Sequence, residues 1–373
     1  MKYCIKCILP DTRPGIILNN NGICSGCIGH ELKNQIDWKD RYKQLKKICS
    51  HILNKNGNKF TYDAVLPVSG GKDSWYQIIQ AKKLGLKVLA ITWKTPSRTE
   101  IGQINLDNMI TKLNVDHIDY SFNDDLMRKF MISAFEKKGS IGLPMHMAIF
   151  SMVLRMAVDL KIPLILWGEN SQLEYGGNKK EQLSQYLDLN WVTKHGCMMG
   201  TNYKDWAGVN KITVKDMAAF ALPSSVSNKI QSIFLGSFIK WNSLEIIKEV
   251  KKYGFKYNKS SRKTGKWEFA DIDCNFISLH HYPKWHKFGM TRVFDNLSIE
   301  IRYGRLTRKK AIDLLIKIGN PEPKEDIKKV CDYLGKDKKW FYEICEKYRN
   351  KNIWKNTNKK WEIEKFISNQ WKW

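Results

Sequence analysis

The chain has 373 residues, 43% of them hydrophobic, enough for two or three units around a sizeable core and ordinary for a globular protein. No uninterrupted apolar run is long enough to cross a bilayer, and the opening MKYCIKCILPD lacks the apolar core of a signal peptide, so a cytoplasmic location without membrane insertion is expected. Lys and Arg number 63 against 37 Asp and Glu, a net charge of +26, but the lysines are spread along the chain, so the charge fits an acidic partner and an AT-rich genome alike and selects no partner by itself.

Four of the nine cysteines fall in the first 27 residues, as Cys4-x2-Cys7 and Cys24-x2-Cys27 with sixteen residues between the pairs. This is the spacing of a zinc ribbon, in which each CxxC turn points two thiolates at one tetrahedral ion. The other reading, a disulfide pair, suits an oxidising compartment. A structural Zn2+ in a closed four-cysteine site is therefore expected, within a ribbon segment and linker helix over residues 1–50. Cys49, Cys197, Cys274, Cys331 and Cys345 form no second pair at ligand spacing, and most are expected in the core.

Residues 64–68, AVLPV, read as a buried parallel strand, although Pro67 removes one ladder donor. The hexapeptide Ser69-Gly70-Gly71-Lys72-Asp73-Ser74 follows, and an amphipathic helix runs from there to Gly85. A glycine turn opening a helix presents free N–H groups and a positive dipole end to an anion. It is not GxxxxGK[ST]; SGGKDS resembles the PP-loop of ATP pyrophosphatases. That resemblance implies a loop that holds the β- and γ-phosphates of ATP as leaving pyrophosphate while the α-phosphate is attacked. Lys72 would neutralise charge on the leaving group, and Asp73 would position phosphates or a Mg2+ ion.

Further strands are expected over 87–93, 117–122 and 162–167, with helices over 124–138 and 145–160. The alternation predicts an α/β fold: a parallel-sheet PP-loop domain over 58–220, an N-terminal Cys4 zinc-ribbon segment, and a mainly helical C-terminal region over 221–373 that binds substrate. Thr92 and Trp93 end the second strand, where the adenosine of a PP-loop enzyme lies, and Gly168 ends the fourth; Trp93 is read equally as plain core.

The stretch WGENSQLEYGG, 167–177, places Glu169, Asn170, Glu174 and Tyr175 in a polar loop at the active edge of the sheet. Glu169 and Glu174 are unranked candidates for a general base; Asn170 and Tyr175 are candidates for substrate contact. Between 280 and 305, three histidines crowd with Lys284, Lys287, Arg292, Asp295 and Arg302, side chains suited to an anionic sugar or a phosphate. Lys287, Arg292, Asp295 and Arg302 are taken as substrate contacts, while His280, His281 and His286 are each read more readily as structural. Thr307 predicts the cap of a helix over 308–318. The tail from 320 predicts short helices broken at Gly335 and Asp337, whose aromatics are expected to pack onto the body.

The stretches YCIKCILPDTRPGI…GICSGC, PVSGGKDS, IPLILWGEN…EYGG and KFGMTRVFDNLSIEIRYGRLTRKKAI, spanning residue 3 to about 315, resemble the N-acetyl sugar amidotransferases. These are PP-loop enzymes of pseudaminic, legionaminic and O-antigen acetamidino-sugar synthesis. The resemblance implies an ATP-dependent exchange of the acetamido oxygen of an N-acetylated, nucleotide-activated sugar for nitrogen, releasing AMP and pyrophosphate. It implies ATP and Mg2+ as cofactors, with ammonia from a partner glutaminase and a cyclase-like channel subunit, and it implies no nucleic-acid partner. The best rival is a tRNA-modifying PP-loop enzyme of thiolase or lysidine-synthase type. No CxxC lies beside the nucleotide fold to carry persulfide sulfur, which argues against a thiolase. A zinc-ribbon nucleic-acid-binding protein with a dead PP-loop is the rival outside enzymes, and an intact SGGKDS argues against it.

Overall fold

The computed structural model describes residues 1–57, 61–224, 230–257, 264–358 and 360–373. The chain opens on two cysteine loops that run into α1 (Ser25–Gln35) and α2 (Trp38–Asn56). Asp37 caps α2, accepting from the Lys39 and Asp40 N–H groups. Strands and helices then alternate: β1 (Ala64–Pro67), α3 (Lys72–Lys83), β2 (Val88–Trp93), α4 (Glu100–Leu113), β3 (Asp116–Tyr120), α5 (Asp124–Lys138), α6 (Leu143–Asp159) and β4 (Leu164–Trp167). Short helices α7 (Ser171–Tyr175), α8 (Lys179–Gln182), α9 (Leu189–His195) and α10 (Val214–Met217) precede β5 (Gln231–Phe234). Next come α11 (Ser243–Tyr253), α12 (Phe276–His281), α13 (Pro283–Phe288), α14 (Arg292–Arg302) and α15 (Arg308–Ile318). The chain closes with α16 (Lys324–Leu334), α17 (Lys338–Lys347) and an antiparallel pair, β6 (Lys355–Thr357) and β7 (Lys360–Glu362).

The main sheet has the order β3-β2-β1-β4-β5 and is parallel throughout. Side chains alternate across it. Ala64, Leu66, Ala90, Leu164 and Leu166 face a core shared with α2, α3 and α11. Val65, Leu89, Ile91 and Ile165 face the opposite core, built on α5 and α6. Strands covered on both sides must be apolar at every position, which is why the sequence shows runs rather than alternation. Pro67 is harmless because β1 ends there, and the Val68 N–H resumes bonding to the Ile91 carbonyl at 2.9 Å. Helix α6 starts two residues before the expected position, since Pro144 fits the first helical turn.

Two expected boundaries do not describe the packing, and a third, at residue 58, lies outside the described residues. β5 lies beyond the boundary expected at 220 and completes the sheet beside β4. The cysteine loops do not stand apart as an N-terminal unit. Cys4, Cys7, Ile8 and Leu9 share a core with Trp285, Phe294, Leu297, Leu315, Trp354 and Trp371. Trp354 is 2% exposed and the ring of Trp285 lies 5.1 Å from it and 5.2 Å from Trp371, so the tail packs its aromatics as expected.

Candidate active site

The strand order reverses between β1 and β4, the two neighbours whose C-terminal ends open the crevice of such a sheet. The SGGKDS loop leaves β1 and Glu169 leaves β4, so the topology brings them together although 95 positions separate Ser74 from Glu169. Gly70 turns the loop at φ +87°, and a Cβ there would meet the Gly102 carbonyl at 3.0 Å and the Leu106 N–H at 3.1 Å. Gly71 is the N-cap of the twelve-residue α3 and supplies no capping side chain, leaving the helix's first N–H groups for an anion. The Ser69 N–H donates to Ser74 Oγ at 2.9 Å, and the Gly71 N–H to Ser69 Oγ at 3.3 Å, which set the loop. Lys72 is buried and donates to Asp73 Oδ2 at 2.5 Å. Asp73 Oδ1 is buried with no protein partner, a donor suited to a hard cation such as Mg2+.

Glu169 stands against this loop. Burial, then the charge of Asp73, push its carboxyl up to about 7, with Lys72 opposing. Gly168 receives the Gly236 N–H at 3.0 Å, and a Cβ on Gly236 would meet Glu169 Cα at 3.0 Å, so the main chain of Glu169 is held tightly.

Glu174 is placed differently. It sits in α7, a helix where the sequence suggested an open loop, and pairs with Lys33 of α1. The Lys33 ammonium is 1% exposed and also donates to the Trp241 carbonyl at 2.6 Å and to Tyr303 OH at 3.2 Å. The ion pair separates the two glutamates that the sequence left equal: Glu174 is held by Lys33, whereas Glu169 stands against the SGGKDS loop. Asn170 is likewise committed. Its oxygen caps α7, while its amide donates to the carbonyls of Glu181, Gln182 and Ser184, which corrects its expected role as a substrate contact. Arg302 is also a correction. Its guanidinium is taken up by the protein, donating to the Glu174 carbonyl at 2.9 Å and approaching Cys24 Sγ at 3.8 Å.

Thr92 is buried with its hydroxyl 2.8 Å from His117 Nε2. Trp93 belongs to the core on the α5–α6 side and also lines a cavity of about 240 Å³ past the end of β2, with Thr95 and Phe122.

Beside α7 opens a cleft of about 450 Å³ whose walls include Arg13, Tyr175, Lys284, Lys287 and Asp295. Arg292 lies behind Tyr175, its guanidinium 5.5 Å from the ring, and pairs with Asp271 at 3.5 Å and Asp295 at 3.4 Å. Arg13 donates to Asp295 Oδ1 at 2.6 Å. Burial alone would raise Asp295, but Arg13, Arg292 and Lys284 overcome it and hold the carboxyl at about 2. Burial brings Lys284 down to about 8 against the pull of Asp295. Lys287 lines the cleft while donating to the Lys138 carbonyl at 3.0 Å, at the end of α5.

Sequence reading missed several of these groups. Arg13 falls in the stretch YCIKCILPDTRPGI but was not singled out, and Lys33 lies in no motif, one lysine among many. Asp273 bonds Ser69 of the loop, and burial raises its carboxyl. The spacing Asp271-Ile272-Asp273, two carboxylates flanking a buried isoleucine, was the available signal.

The four N-terminal sulfurs fit a metal. Cys4 and Cys27 lie 3.9 Å apart and Cys7 and Cys24 3.6 Å, all four within 4.8 Å of one another. Tetrahedral Zn–S bonds of about 2.3 Å give sulfur separations of roughly 3.8 Å. Backbone N–H groups of Cys7, Cys24 and Cys27 point at the sulfurs at 3.3–3.4 Å, stabilising thiolate. No helix among the described residues is long and apolar enough to cross a membrane.

Residues 248–367 match the model of the family described as "LPS biosynthesis protein WbpG-like, C-terminal domain". No curated protein matches the chain. Among solved structures, the U34-tRNA thiolase NcsA from Methanococcus maripaludis is 16% identical with a TM-score of 0.30, covering 84% of this chain and 88% of its own. NMN synthetase from Francisella tularensis is 17% identical with a TM-score of 0.29, covering 60% of this chain and 98% of its own. The NH3-dependent NAD synthetase from Campylobacter jejuni is 21% identical with a TM-score of 0.29 over 40% of this chain, and the chain spans 65% of that synthetase's length. The stretch that matches this family model includes Lys284, Lys287 and Asp295 of the cleft wall.

Proposed function

We propose that the chain is an ATP-dependent amidotransferase of glycan biosynthesis, which adenylates the acetamido oxygen of an N-acetylated sugar and replaces that oxygen with ammonia. The observation that carries this reading is the meeting of a PP-loop, a buried glutamate titrating near 7, and a basic cleft walled in part by the WbpG-like region. An amide carbonyl is a poor electrophile; adenylation turns its oxygen into a leaving group. The free N–H groups of α3 and Lys72 receive the pyrophosphate, and Asp73 would hold a Mg2+ ion through its unpartnered oxygen, where the ion would neutralise phosphate charge. Glu169 takes the proton from ammonia as nitrogen attacks the imidate carbon, a role suited to a base half ionised at pH 7. Arg13, Lys284 and Lys287 line the side that receives an anionic sugar or its nucleotide carrier. Cys4, Cys7, Cys24 and Cys27 would hold a Zn2+ ion, which would serve to fold the segment beneath α7. Ammonia comes from a glutaminase partner through a channel subunit, in the cytoplasm.

Nucleotide product analysis tests this. The protein is given Mg-ATP and ammonium with CMP-pseudaminic acid, CMP-legionaminic acid, a UDP-diacetamido sugar or bulk tRNA in turn. AMP and pyrophosphate with one sugar, and that sugar gaining NH for O, is the expected result. AMP released only with tRNA assigns the protein to tRNA modification, and ADP from any mixture overturns the reading of the loop.

A further inference from the structure

Asp271 stands in the left-handed region at φ +58°, a costly conformation for a residue other than glycine. The residues after it are tied down. The Ile272 carbonyl accepts from the Thr99 hydroxyl, and the Asp273 carbonyl accepts from the Thr99 N–H at 3.1 Å. Thr99 caps α4, and the carbonyl of Gly102, in the first turn of that helix, is the group against which the Gly70 turn of the phosphate loop packs. One short segment therefore runs from the helix beside the phosphate loop to the two helices behind the cleft. There the Asp271 carboxylate lies 3.7 Å from His281 Nε2 and 3.5 Å from Arg292 Nε.

His281 ends α12 and is buried; Lys284 follows three residues later in α13, and the helical dihedrals of Tyr282 between them keep both on one face. Lys284 Nζ lies 3.1 Å from His281 Nδ1. An ammonium only donates, so Nδ1 accepts and the ring proton sits on Nε2, the nitrogen that faces Asp271. Burial, then Lys284, bring His281 down to about 4, so the ring is neutral at pH 7 and carries that one proton. Burial would raise Asp271, but Arg292 and then His281 hold it well below the usual carboxylate range. The charged Asp271 thus favours the tautomer that offers its lone pair to Lys284.

The cations of the cleft differ in what they can offer a ligand. Lys287 Nζ donates to the Lys138 and Gly139 carbonyls at 3.0 and 3.5 Å. Arg13 is met by Asp295 Oδ1 at 2.6 Å and by the Pro14 carbonyl at 2.9 Å. Lys194 is exposed at the end of α9, where water screens its charge. Lys284 lines the cleft half-buried, and among the described residues its ammonium has one hydrogen-bond partner, which leaves two of three donors for a ligand. We propose that Lys284 is the specificity-determining cation of this cleft, donating to the charged group of an anionic sugar, and that Asp271 and His281 are positioning residues that hold its ammonium there. The contact with a sugar rests on the amidotransferase reading.

Isothermal titration of the full, zinc-loaded chain tests this with N-acetylglucosamine 1-phosphate and N-acetylneuraminic acid, which carry a phosphate and a carboxylate, and with neutral N-acetylglucosamine beside them. One anion or both should bind more tightly than the neutral sugar, and the better one names the charged group. Lys284→Met keeps the stem and loses the ammonium; it should weaken anion binding roughly 10–100-fold, as expected for one charge-assisted hydrogen bond, and leave the neutral sugar unchanged. His281→Asn keeps an acceptor at the place of Nδ1 and should stay within about threefold of the unaltered protein, whereas His281→Gln, whose amide end falls at the place of Nε2, should drop toward Lys284→Met. An imidazole that only fills space would weaken both variants alike, and that result overturns the positioning line. Charged and neutral sugars binding equally, or neither anion binding, overturns the anion contact. The titration needs no ATP, ammonium or turnover. Anion binding that Lys284→Met abolishes, with no AMP formed from any sugar, keeps the contact and removes the amidotransferase reading. Amidine formed by Lys284→Met with an unchanged KM for the sugar keeps that reading and removes the contact.

Discussion

At pH 7 Glu169 stands near the midpoint of its titration, and this has two measurable results. The folded chain holds a proton there up to about 7, whereas the unfolded chain releases it near 4.5, so stability falls as pH rises between those values. Glu169→Gln should remove that slope from urea midpoints measured across the window. On the proposed reading the same group must be ionised to accept a proton, so turnover should rise with pH through about 7, and this limb should vanish in the variant along with most of the rate. Glu174 should behave as a stability residue. Glu174→Gln leaves the buried Lys33 ammonium without its carboxylate and should cost about 3 kcal/mol in urea unfolding. Lys72→Ala should leave the fold in place and lower ATP-dependent product formation by about 100-fold, because a positive group facing the leaving charge is lost. Sequence reading named Glu169, Glu174 and Lys72 together. What it lacked was Lys33, 141 residues from Glu174, whose ion pair separates the roles.

At the scale of elements, the cysteine loops act as the bed of α7. Gln182 donates to the Ser25 and Gly177 carbonyls at 3.0 and 3.1 Å, and Arg302 ties the Glu174 carbonyl to Cys24. Gly26 is where the two elements touch most closely: a Cβ there would meet Arg302 Nη2 at 2.2 Å and the Tyr175 carbonyl at 2.8 Å. Gly26→Ala should therefore destabilise the chain by roughly 1–3 kcal/mol, read from the urea midpoint, and raise the KM for ATP as the Glu169–Tyr175 segment shifts. The CxxC spacing was legible because ligand geometry is local. Its partner surface was not, because nothing in residues 4–27 says which distant helix they bury against.

For the molecule as a whole, both ends of the chain meet in one core. Trp371, two residues from the end of the sequence, is 8% exposed and packs with Trp285 in the cluster that holds the four cysteines. Trp371→Ala should lose ~3 kcal/mol and speed the transfer of zinc to a chelator, measured by the absorbance of a metallochromic dye. A tail serving only to stack nucleic acid would change neither.

The sequence by itself determined the parallel alternation of strands and helices, the position of the phosphate loop and the metal-ligand spacing. Each of these depends on periodicity or on contacts within a few residues. The end of α5, the cap and span of α15 and the break at Gly335 and Asp337 were legible for the same reason. Only the tertiary structure decided that β5 joins the sheet, that Glu174, Asn170 and Arg302 are held by buried partners, and that Arg13, Tyr175 and Lys284 share a cleft with Cys197. Those outcomes depend on desolvation and on partners hundreds of residues apart in some cases, and the free energy of a buried charge is set by what the fold places beside it.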